Sequence, residues 1–95
     1  MITEAKKEAF RQYLREEFPS WELADTDDFE RISWKFRVVS GDTIQVVYVR
    51  RTFWDDYEDV KKALQNLGLK EFMRKNQGKH VLVRVDGLDA LDANR

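Results

Sequence analysis

Cysteine is absent from the chain. A disulfide scaffold, a thiol nucleophile and a thiolate-based zinc or iron–sulfur centre are therefore excluded. Histidine occurs once, as His80, and no Gly-Xaa-Ser-Xaa-Gly elbow is present. That leaves no recognisable nucleophile and base, so no catalytic residue is assigned. Proline occurs once and glycine four times, without repeats or low-complexity tracts, so nothing marks a linker or a second domain. Net charge is nearly absent too, with 17 Lys+Arg against 18 Asp+Glu. A chain so balanced is neither a dedicated polyanion binder nor an acidic mimic of nucleic acid; only a local patch could act that way. No apolar run approaches the roughly 20 residues of a membrane span, so no membrane partner is expected. The start, Met1-Ile2-Thr3-Glu4, turns polar at once. No signal peptide is visible there, and the expected location is the cytoplasm.

What is present is apolar and aromatic mass. The 95 residues are 42% hydrophobic and include three Trp, three Tyr and six Phe. That suffices for one compact core. Thr3 is placed to cap a helix over about 4–18, in which Phe10, Tyr13, Leu14 and Phe18 recur on one face and Pro19 ends the run. Trp21-Glu22-Leu23 alternates like a short strand, and Asp25-Thr26-Asp27-Asp28 reads as a polar turn. That turn lacks the glycine and the distal glutamate of an EF-hand loop.

The sharpest pattern is a hairpin from Arg31 to Arg51. Ile32, Trp34, Phe36 and Val38 alternate with Arg31, Ser33, Lys35 and Arg37. Gly41-Asp42 suits a two-residue type II′ turn with glycine first. Counting outward pairs Phe36 with Val47 and Trp34 with Val49. The inner face is then Ile32, Trp34, Phe36, Val38, Val47 and Val49. The outer face is Arg31, Ser33, Lys35, Arg37, Ile44, Val46, Tyr48 and Arg50.

A second helix is expected from Thr52 or Asp55. Asp55, Asp56, Glu58 and Asp59 crowd its first turn, where the helix dipole favours negative charge. Tyr57, Val60, Leu64 and Leu67 form its apolar stripe, and Gly68 closes it. Leu69, Phe72 and Met73 predict a further helical turn. Val81, Val83 and Val85 alternate in a last strand over 80–86. The expected fold class is α+β, in two layers. It has an antiparallel three- to four-stranded sheet with helices on one face, in the order α-β-β-(β)-α-β. The domain is expected over residues 1–86, with 87–95 as a fraying tail.

Three functional readings follow. No phosphate loop or metal-ligand spacing accompanies the acidic residues: Gly78-Lys79 lacks the earlier glycine and following hydroxyl of a Walker loop. No cofactor or metal is therefore expected, and a metal-dependent enzyme built on Asp55 and Asp59 ranks third. The outer hairpin face is the candidate site: Arg31, Lys35, Arg37, Ile44, Val46, Tyr48 and Arg50. Its basic groups around an aromatic could meet phosphates and a base, which makes nucleic acid the second reading. Its mixture of apolar, aromatic and guanidinium groups is also that of protein interfaces. A non-catalytic binding or adaptor module is the first reading, with another protein or a second copy as partner.

Overall fold

The computed structural model describes residues 2–28 and 32–91. The first helix, α1 (Glu4–Glu17), starts where the Thr3 hydroxyl accepts a hydrogen bond from the Lys6 amide at 3.2 Å. It presents Phe10, Tyr13 and Leu14 to the interior. A sheet follows, built from β1 (Glu22–Asp28), β2 (Ser33–Ser40) and β3 (Thr43–Arg50). The chain then crosses through three short helices: α2 (Arg51–Asp56), α3 (Val60–Leu67) and α4 (Leu69–Lys75). It ends in β4 (His80–Arg84) and β5 (Gly87–Leu91). The described residues thus form an α+β domain, with helices against a five-stranded sheet of order β1-β2-β3-β4-β5.

The hairpin register is the expected one: Trp34 faces Val49, Phe36 faces Val47 and Ser40 faces Thr43. Gly41 has φ 57 while Asp42 keeps a negative φ, the φ pattern of a II′ turn. On the inner face Phe36, Val38, Val47 and Val49 join Val81 and Val83 beneath the helices. The Phe10 ring stacks on Phe36 with centroids 4.3 Å apart, and Phe53 and Trp54 close around the pair. Burying each such aromatic contributes about 1.5–3 kcal/mol.

Several expectations need correction. The sheet is mixed rather than antiparallel, because β3 and β4 run parallel. A parallel neighbour requires a long crossover, and α2–α4 supply it. The Asp25–Asp28 segment lies within β1 rather than in a turn. Arg11 straps Asp25 from α1 through two hydrogen bonds of 2.8 and 2.9 Å, and the Trp34 indole donates a third at 2.8 Å. Those bonds fix a charged residue on the core side of a strand. Ile32 is not an inner-face residue: it sits before β2 at φ 50, and 55% of its surface is exposed.

The acidic run does not begin one helix. Asp55 and Asp56 end α2, and Asp59 caps α3 by accepting from the Lys62 amide at 3.1 Å. Asp55 and Asp59 therefore do not share a helix face. The chain past Asp86, expected to fray, carries β5 and pairs with β4 along its length; residues 92–95 lie outside the described residues.

Candidate binding face

Strand alternation gives the sheet two unlike faces. All of the buried cluster lies on the helix side, and the other side is covered by no described element. The expected site falls on this second side. Register aligns its residues in rows across the strands. One row carries Val39 of β2 beside Ile44 of β3, with Glu22 of β1 next to Val39. The next sets Ala24, Arg37 and Val46 side by side. A third runs Thr26, Lys35, Tyr48, Leu82 and Asp89 across all five strands. A fourth sets Asp28, Ser33 and Arg50 abreast.

The rows make the face polarised. Ile44 and Val39 gather at the β2–β3 turn end, with Arg37 one row on and Arg50 at the far end. Ile44 is 46% exposed, which makes it one of two large apolar side chains in the open among the described residues. Arg37 and Arg50 are exposed, and Lys35 is half-buried. Arg31 lies outside the described residues.

Val46 and Tyr48 differ from expectation. They are 5% and 4% exposed although no helix lies over them. The Lys35 ammonium stands 5.9 Å from the Tyr48 ring centroid, and the His80 ring lies 5.6 Å away on another side. The Lys35 side chain and the His80 ring thus flank Tyr48 at the centre of the face. Tyr48 is consequently not an open stacking platform.

Sequence reasoning missed three kinds of residue here. Leu82 and Leu91 belong to the face, and only the parallel pairing of β4 brings them there. Their signal was the alternation of Leu82 against Val81 and Val83. Glu22 and Asp28 flank the hairpin from β1, whose second half reads as a polar turn in the sequence. Arg84 and Asp89 form an ion pair of 2.7 Å at the β5 side. Basic residues that looked unopposed in the hairpin are therefore bordered by carboxylates on both sides.

On the opposite layer, Arg11 holds Glu4, Glu8 and Asp25 together at 2.7, 3.0 and 2.8 Å. The guanidinium keeps the Asp25 carboxyl below its ordinary range; burial opposes this and the Trp34 indole assists it. This cluster joins α1 to β1. Among the described residues no group of His, Asp or Glu is arranged to hold a metal ion. No described helix is long and apolar enough to cross a membrane. Comparison with family models, with curated proteins and with solved structures returns no match to the chain.

Proposed function

We propose that the protein is a non-catalytic binding module whose helix-free sheet face docks another protein. The partner's docking segment is apolar at its centre and flanked by carboxylates. The observation that supports this is the row structure of the face: exposed Ile44 and half-buried Val39 stand directly beside Arg37, with Lys35 one row on. An apolar anchor with Arg37 and Lys35 in the next rows, and Glu22 beside Val39 on β1, suits an amphipathic segment whose carboxylates lie toward Arg37. Complementary charge there gives specificity and speeds encounter. A second copy fits less well. Where a two-fold axis sets β2 of one copy over β2 of the other, Lys35 and Arg37 meet like charge.

Nucleic acid is disfavoured on two counts. Tyr48 is covered, and Glu22 and Asp28 set carboxylates along the β1 margin of the face, while Asp89 is paired with Arg84 at the other. The test is co-purification from the native host with the full chain, comparing variants. A protein lost with Ile44→Asp and with Arg37→Glu, kept with Lys62→Glu on α3, and indifferent to nuclease supports the reading. A co-purifying protein kept by both face variants, or lost to nuclease, contradicts it. Sedimentation should give a mass near 11.4 kDa; twice that mass, abolished by Ile44→Asp, would transfer the face to self-association.

A further inference from the structure

We infer that the end of the sheet opposite the β2–β3 turn holds a second binding site, for a small molecule that carries an oxyanionic group. Strands β3 and β4 are parallel, with Val49 beside Val83, so both finish at this end. Their last residues are Arg50 and Arg84, on neighbouring strands roughly 4.8 Å apart. Arg51 follows at once as the first residue of α2. Three guanidiniums are thereby gathered at one corner. Like charges on adjacent strands repel, and the Asp89 carboxylate already relieves part of that repulsion at Arg84.

The corner is concave. A groove of about 650 Å³ is lined by these three arginines with Ile32, Thr52 and two carboxylates among others. The groove is open, so a small ligand there stays partly exposed to solvent. Arg84 is only half satisfied. Its Nη2 holds the Asp89 carboxylate at 2.7 Å, while its Nε is buried and has no hydrogen-bond partner. Its burial closes that Nε to a ligand; the Arg84 side chain is 42% exposed, and its outer guanidinium nitrogens are what a ligand meets. Arg50 already has an interaction of its own, while among the described residues none pairs with Arg51. Ile32 adds an exposed apolar wall held at φ 50, a strained backbone for a β-branched residue.

The carboxylates narrow the ligand. Asp56 and Asp86 line the same groove, and Asp89 is already on Arg84. Among the described residues three aspartates thus stand against three arginines, so a polyanion such as a nucleic-acid strand gains no net attraction. The groove admits a small molecule with one oxyanion, phosphoryl or carboxylate, and hydroxyl or amino donors a few ångströms away for the aspartates.

The test is a titration of the isotope-labelled full chain, followed by NMR at the Arg84 Nε–H and at the amides of 50–52 and 84–86. The probes are inorganic phosphate, acetate and glycerol phosphate, against chloride at matched ionic strength. The expected result is a saturable shift confined to these groups. Saturation by phosphate alone assigns a phosphoryl ligand, and by acetate alone a carboxylate. Glycerol phosphate is expected to bind more tightly than phosphate, because its hydroxyls reach the aspartates. Arg51→Gln should weaken binding about tenfold, as expected for a lost charge-assisted contact. Arg84→Gln should do the same, and if that variant loses its fold, Arg51→Gln decides alone. No saturation below about 50 mM, beyond the millimolar range of a weak ligand, would overturn the site. So would equal binding by Arg51→Gln.

Discussion

Asp25 shows how one side chain sets a boundary in this fold. It is a carboxylate on the core side of a strand, with 11% of its side chain exposed. Three hydrogen bonds from Arg11 and Trp34 make the placement tolerable. Asp25→Asn should destabilise the domain by about 1–3 kcal/mol, measured by urea unfolding near pH 7. The pH dependence has a definite sign. Arg11 holds the folded carboxyl below its unfolded value. The stabilisation is therefore complete above the unfolded value, near 3.9, and is lost as pH falls through the folded one. The gap between wild type and Asp25→Asn should shrink as pH is lowered below about 4. A constant gap down to the acid transition would refute the role of the pair. At the aromatic centre, Phe36→Ala removes the ring stacked on Phe10 and should cost about 3–5 kcal/mol in the same assay.

Elements differ in how plainly they were written in the chain. The β2–β3 hairpin was legible down to its register, because a two-residue turn with Gly41 first fixes the pairing and strict alternation fixes the faces. Helix α1 was legible for the same reason of period, with Thr3 and Pro19 as its ends. The strand β1 was half hidden: four acidic residues in seven resemble a loop, and their strand character depends on Arg11, fourteen residues away. Such charge on an edge strand also discourages pairing with another chain. The strand β5 gave no signal, since Gly87-Leu88-Asp89-Ala90-Leu91 lacks β-branched residues and is held by its partner β4. The acidic run misled differently, because the chain breaks between α2 and α3 at Tyr57, whose hydroxyl donates to the Val85 carbonyl at 2.7 Å. Two predictions belong at this scale. Gly68 closes α3 at φ 72, so Gly68→Ala should cost about 1 kcal/mol by thermal unfolding. Ending the chain after Asp86 removes Leu88 from the core margin and bares the edge of β4. It should lower stability by about 2 kcal/mol or more and promote association, read by calorimetry and light scattering.

The whole molecule divides labour between two layers. One face of the sheet builds the core with four helices, and the other is left to its own side chains. The expected site was legible as a face but not as a surface. Its members were placed together as predicted, Arg31 aside. Which of them reach solvent depends on neighbours that periodicity cannot supply, so Val46 and Tyr48 are covered while Ile44 and Arg37 stand out. The most direct measurement of the central claim is site-specific photocrosslinking in the native host. A benzoylphenylalanine at position 44, on the open face, is compared with one at position 62, on α3. The account predicts a discrete protein adduct from position 44 and none from 62, with the partner's attachment point in an apolar segment flanked by Asp or Glu. An adduct from 62 alone, a nucleic-acid adduct, or none from 44 would contradict it.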